Sequence, residues 1–199
     1  MTAIADTFID LAGCSLHVLS CGPEDGLPVI LLHGMKFQAE TWRELGTLDT
    51  LGKAGLRVLA LDMPGFGKSA ASEVSPSEVL KRLYRQLGLH KAVLIGPSMG
   101  GRIALEFAIA QPELIAGLVL VGAVGVEENR ADLSKIIAPT LIIWGEDDQV
   151  SPLANSDILL AELSRAERQI YPQAPHPCYL QQRERWHQSL TTFFQQLCQ

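Results

Sequence analysis

Residues 92–101 read Ala92-Val93-Leu94-Ile95-Gly96-Pro97-Ser98-Met99-Gly100-Gly101. Four apolar residues run straight into a Gly-x-Ser-x-Gly turn, and a helical pattern follows as far as Ala110. A short apolar run bounded by glycine reads as a strand buried on both faces. A serine at the tip of a sharp strand-to-helix turn sits in strained backbone, and its neighbours must be small for the chains to pass. The helix behind it aims its first N–H groups and the positive end of its dipole at the same place. Ser98 is therefore the candidate nucleophile. Its plainer alternative role is a hydroxyl capping helix 99–110.

The same alternation extends to both sides. Strands are expected at residues 16–20, 29–32, 57–61, 92–95, 117–121, 140–144 and 168–171, and helices at 41–54, 76–87, 99–110, 152–163 and 184–197. Pro76 and Pro152 stand where a first-turn proline belongs. In the last helix Trp186, Leu190, Phe193, Phe194 and Leu197 share one face. Strand–helix alternation of this kind specifies an α/β fold: a mostly parallel twisted sheet with helices on both faces. Residues 7–21 read instead as an antiparallel hairpin at the sheet edge. With no internal repeat or linker, the 199 residues are expected to form a single domain.

Composition narrows the function classes. Hydrophobic residues make up 47% of the chain and charged ones 19%, which excludes a disordered protein. Asp and Glu number 22 against 16 Lys and Arg, a net charge of −6 that argues against a nucleic-acid partner. No apolar run approaches the ~20 residues of a membrane span. Asp6 and Asp10 interrupt the N-terminus where a signal peptide would be apolar, so a cytoplasmic protein is expected. Cys14, Cys21, Cys178 and Cys198 show neither a Cys-x-x-Cys pair nor a zinc spacing. They read as free thiols, and neither a metal nor a cofactor is expected.

A serine nucleophile needs a base, and the base needs an orienting acid. Gly145-Glu146-Asp147-Asp148 follows the strand at 140–144, and Pro172-Gln173-Ala174-Pro175-His176 follows the strand ending at Tyr171. Each group would then stand at the carboxyl end of a strand, where open α/β sheets bind ligands. His33 reads as part of a loop, His17 as part of an edge strand, His90 as a turn residue and His187 as helical, which leaves His176 as the base. The acid is Asp148 or Asp147, with Glu127 or Glu128 as more remote choices. His33-Gly34-Met35 follows a buried strand, as an oxyanion loop should. The backbone N–H groups of Met35 and Met99 are its candidate donors. Lys36, Phe37 and Cys178 are candidate substrate-binding residues, against the plainer readings of a solvated lysine and a small packed thiol. Asp62 reads as structural, accepting turn N–H groups across residues 64–67.

These motifs resemble the α/β-hydrolase superfamily. Asp62-Met63-Pro64-Gly65-Phe66-Gly67-Lys68-Ser69 is similar to its D-x-P-G-x-G-x-S signature, and the chain order of serine, acid and histidine is that of its triad. The resemblance implies Asp148 as the acid, three residues beyond the glycine that ends its strand. Two longer stretches, residues 33–42 with Glu40-Thr41-Trp42 and residues 176–187 with His176-Pro177-Cys178-Tyr179-Leu180, resemble the abhydrolase-domain 14 (interacting factor B) group. So does proline before the nucleophile.

The implied chemistry is acyl transfer through Ser98, Asp148 and His176 on small acyl esters or related derivatives. For some relatives it extends to removal of acetyl from lysine with transfer to a thiol acceptor. Only 18 residues, 122–139, separate the strands at 117–121 and 140–144. With a short helical piece at 131–135 there is no room for the lid that many such hydrolases carry, so small acyl groups at an uncovered site are expected. The other reading is a protein-interaction module on a hydrolase fold, since the group's name records an interaction with transcription machinery. A dehalogenase would need a carboxylate in place of Ser98 and is excluded.

Overall fold

The computed structural model describes residues 2–197; Cys198 lies outside them. Strands β1 (Ala5–Asp10), β2 (Ser15–Cys21), β3 (Pro28–Leu31), β4 (Arg57–Leu61), β5 (Ala92–Pro97), β6 (Ile115–Val121), β7 (Thr140–Gly145) and β8 (Ala166–Tyr171) form one sheet. Their spatial order is β1-β2-β4-β3-β5-β6-β7-β8. β2 runs antiparallel to both β1 and β4, and all later neighbours are parallel. The expected hairpin thus forms the edge, but β2 itself lies inside the sheet.

Alternate residues of the central strands feed two cores. Ile30, Leu94, Leu120 and Ile142 pack with helices α3 (Pro76–Leu87), α4 (Met99–Ala110) and α5 (Ala154–Glu162) on one face. Leu31, Ile95, Val121 and Ile143 pack on the other with α1 (Ala39–Leu45), α2 (Thr47–Lys53) and α7 (Arg183–Leu197). Burial on both faces is why these strands are continuously apolar in sequence. Their parallel pairing brings the carboxyl ends of β3, β5, β6, β7 and β8 to one edge.

Several expected boundaries shift for local reasons. The helix expected at 41–54 is two helices, because Gly46 adopts φ 82° and ends α1 with a left-handed cap. The helix expected at 152–163 begins at Ala154. A short helix, α6 (Cys178–Gln181), precedes α7. Between β6 and β7 the chain forms a 3₁₀ segment, Glu127–Lys135, longer than the helical piece expected at 131–135. Leu133 anchors it in the core, and no cap lies between these two strands. Cys14, Cys21 and Cys178 are free and buried. No helix among the described residues is long and apolar enough to cross a membrane.

One threonine ties the broken helix to the C-terminal one. The Trp186 Nε1–H donates to Thr47 Oγ1 at 3.0 Å, and the same hydroxyl lies 3.2 Å from His187 Nε2. Both Thr47 and Trp186 are fully buried. Thr47→Val leaves a buried indole N–H without a partner, at a cost of about 2 kcal/mol. For a chain of this size Tm should fall by about 4–8 °C in calorimetry; an unchanged Tm would refute the role given to this hydroxyl.

Candidate active site

The turn between β5 and α4 has the strained geometry its sequence predicts. Ser98 has φ 52° and ψ −116°, one of three non-glycine residues with positive φ among those described. Such backbone costs on the order of 1–3 kcal/mol and persists only where its surroundings hold it. Here the Ser98 N–H donates to Val121 O at 2.9 Å, and Ser98 O accepts from Arg102 N at 3.0 Å. A Cβ on residue 96 would stand 2.2 Å from Gly100 O, and one on residue 100 would stand 2.7 Å from His33 O. Both positions therefore demand glycine. The Ser98 side chain makes no cap hydrogen bond to α4, so the capping role does not hold.

The structure brings Asp148 and His176 together. Asp148 Oδ2 lies 2.7 Å from His176 Nδ1, and the carboxylate is fully buried while the imidazole is 17% exposed. Asp148 Oδ1 accepts from Val150 N and Ser151 N, each at 2.8 Å. Asp147 is exposed and its N–H donates to Ala174 O, so its side chain is not the histidine's partner. Glu127 and Glu128 are exposed in the 3₁₀ segment, paired with Arg130 and Arg102. The other ring nitrogen, His176 Nε2, is buried with no hydrogen-bond partner.

Ser98 and His176 both border the end of β6. Val121 O holds the Ser98 N–H, while a Cβ on the next residue, Gly122, would stand 3.2 Å from His176 Nδ1 and 2.9 Å from Asp148 Oδ2. Gly122 is needed for space and also has φ +50°. Its requirement escapes sequence reading, although a glycine directly after an all-apolar strand was the available signal. Gly145 admits the histidine loop in the same way, since its Cβ would stand 2.4 Å from Ala174 O and Pro175 O.

The loop after β3 lies alongside. A Cβ on Gly34 would stand 3.6 Å from Ser98 Cβ and 3.2 Å from the Phe37 ring, so ring and serine flank one point. Phe37 packs edge-on against Tyr179, which lies on Trp42. Lys36 is exposed and Met35 68% exposed. The Met35 and Met99 N–H groups make no hydrogen bond among the described residues. Cys178 is fully buried, and desolvation together with the Asp148 charge pushes its thiol up to about 12. A thiol held neutral is no nucleophile. No group of three or more His, Cys, Asp or Glu among the described residues could hold a metal ion.

His33 lies in this loop as expected, with Nδ1 2.8 Å from Gly34 O and Nε2 accepting from Met63 N at 3.1 Å. His17, expected in an edge strand, lies in β2 and is buried: β1 covers it, and its ring nitrogens lie 2.7 Å from Asp62 and 2.8 Å from Asp6. Asp62 has the structural character expected of it, accepting from Lys68 N and also from Ala39 N.

The alpha/beta hydrolase fold model matches residues 28–134, more than half of the chain. The chain belongs to the α/β-hydrolase family. Among curated relatives, this hydrolase is 36% identical to human ABHD14B over 200 residues, covering 95% of the chain and 94% of that protein. ABHD14B bears the name of a protein-lysine deacylase. ABHD14A of Danio rerio is 37% identical over 177 residues, covering 86% of the hydrolase and 65% of the relative. Among solved structures, a CIB-like hydrolase from Thermoplasma acidophilum superimposes with a TM-score of 0.93 at 27% identity, over 98% of this chain and 99% of that one.

Two further imidazoles give the hydrolase a pH signature. Burial pushes His33 down from 6.5, and burial with the nearby Arg183 charge does the same to His187. The folded state then binds fewer protons at these rings than the unfolded chain. Their contribution to stability is whole above the ordinary value and is lost as the pH falls through 6.5 toward the lowered folded values. Between about pH 7.5 and about pH 5.5, His187→Gln should therefore lose less Tm than wild type. Equal losses in the two proteins would contradict this.

Proposed function

We propose that this α/β-hydrolase is a serine hydrolase acting by acyl transfer on small acyl esters or related acyl derivatives, among them acylated lysine. The observation that carries the reading is the His176 ring: Nδ1 on a fully buried carboxylate, Nε2 buried and unpartnered. A histidine held by an acid on one side with its other nitrogen free is a general base awaiting a proton. Ser98 supplies that proton as Oγ attacks the carbonyl. The Met35 and Met99 N–H groups take the oxyanion, and their freedom from other partners supports the assignment. Asp148 holds the tautomer and stabilises the imidazolium, which gives that proton to the departing alcohol or amine as the carbonyl re-forms and its bond to the leaving group breaks. Water or another acceptor, such as a thiol, then releases the acyl group.

The preference for small acyl groups is supported by two features: the short connection between β6 and β7, and the Phe37 ring beside Ser98, backed by Tyr179. Long acyl chains need an apolar tunnel, and nothing between these strands builds one. The acylated-lysine proposal draws on the name of ABHD14B.

A fluorophosphonate probe is expected to label Ser98, located by peptide mass spectrometry. Ser98→Ala or His176→Ala should lower the rate constant by roughly four to six orders of magnitude, and Asp148→Asn by about four. Near-normal turnover by Ser98→Ala, or no covalent adduct on the wild type, would end the mechanism and favour an interaction module. In a p-nitrophenyl ester series activity should peak at short acyl chains, and Phe37→Ala should move the peak to longer ones. A wild-type maximum at long chains would contradict the substrate class.

A further inference from the structure

The loop that carries Met35 is suspended from the end of β4 at both of its ends. At its start, His33 Nε2 accepts from Met63 N at 3.1 Å. At its finish, Asp62 Oδ1 accepts from Ala39 N, the first residue of α1, at 2.6 Å. Between these points Gly34 O is held twice, by His33 Nδ1 at 2.8 Å and by Phe37 N at 3.0 Å. The Met35 N–H belongs to the same trans peptide as Gly34 O and must point the opposite way. The aim of this N–H therefore depends on where Asp62 and Met63 stand.

Asp62 is 2% exposed and needs partners for every lone pair it presents. Its Oδ2 takes the Lys68 N–H at 2.8 Å and His17 Nδ1 at 2.7 Å. His17 is itself held on its far side by Asp6 of β1 at 2.8 Å. Asp6 in turn pairs with Lys68 Nζ at 2.7 Å and approaches Arg43 of α1 at 3.7 Å. The backbones are joined as well: the Asp62 N–H donates to His17 O, and Ser69 Oγ bridges from His17 N to Asp62 O. His17 is the only side chain that hydrogen-bonds the Asp62 carboxylate among the described residues.

We infer that His17 is a positioning residue for the oxyanion donor at Met35, acting through the Asp62 carboxylate and the loop suspended from it. The inference rests on the serine acyl-transfer reading. It makes the antiparallel edge of the sheet part of the working of the site. A displaced donor weakens transition-state binding while leaving ground-state binding almost unchanged.

The test measures kcat and KM for p-nitrophenyl acetate, and inhibition by an aryl trifluoromethyl ketone whose serine adduct places an oxyanion between the donors. His17→Gln retains one donor and His17→Leu none; folding is checked by circular dichroism and Tm. His17→Gln should lose about ten- to a hundredfold in kcat with KM nearly unchanged, and His17→Leu more. Inhibition should weaken by the same factor as kcat/KM. Unchanged kcat and inhibition in folded variants, whatever their Tm, would show a purely structural His17 and overturn the inference. Should His17→Leu not fold, Asp6→Ala removes the outer anchor from an exposed strand; a severalfold fall in kcat supports the inference and no fall overturns it. Ser98→Ala runs alongside. Turnover surviving in that variant brings down the serine reading, whereas its loss beside fully active His17 variants brings down the positioning role alone.

Discussion

Backbone can pack directly on backbone at the top of β5 because residues 96, 100 and 101 lack a Cβ. A methyl at any of the three would stand between 2.2 and 2.7 Å from a neighbour: Gly100 O, His33 O or Ala123 Cβ. The close approach brings strand, helix and the loop after β3 together around Ser98 and holds its backbone at φ 52°. Strain of this kind survives only where surrounding hydrogen bonds and packing outweigh it. The bonds from Ser98 to Val121 and Arg102, with the buried apolar face of α4 behind them, hold the turn.

Two buried carboxylates, Asp148 and Asp62, meet the same electrostatic demand differently. A buried charge must have its lone pairs satisfied. Asp148 takes two backbone N–H groups on one oxygen and an imidazole on the other, leaving the far ring nitrogen free. Asp62 also takes two backbone N–H groups and an imidazole, but there the far ring nitrogen is consumed by a second carboxylate. The free nitrogen is what the proposed role of His176 as a base requires. The doubly held ring marks His17 as an anchor.

The fold was largely legible because parallel strands buried on both faces leave an unmistakable apolar record, and glycine or proline punctuates their ends. Legibility failed where a single residue's conformation mattered. The break at Gly46 could not be told from a tolerated helical glycine, since only the structure shows it in a left-handed cap whose N–H bonds back to Arg43 O and Trp42 O. The burial of His17 was not legible, because strand periodicity says nothing about which strand covers it. Of the candidate pocket residues, Lys36 is exposed and Cys178 is a buried thiol whose pKa is raised by desolvation. The Phe37 ring and Ser98 Cβ flank the α-carbon of Gly34 on the loop after β3.

What the sequence by itself determined is local and covalent: an apolar strand ending in small residues around Ser98, the order of serine, acid and histidine, and a connection after β6 too short to form a cap. Its 199 residues, −6 charge and isolated cysteines bounded the function classes without choosing among them. The family motif already pointed to Asp148, and the tertiary structure shows why it rather than Asp147 faces His176: the turn buries that carboxylate and leaves its neighbour exposed. The tertiary structure alone joined His17 to Asp62, residues 45 apart in the chain. Pairings across such separations depend on sheet order and burial, and neither is written in the spacing of residues along the chain.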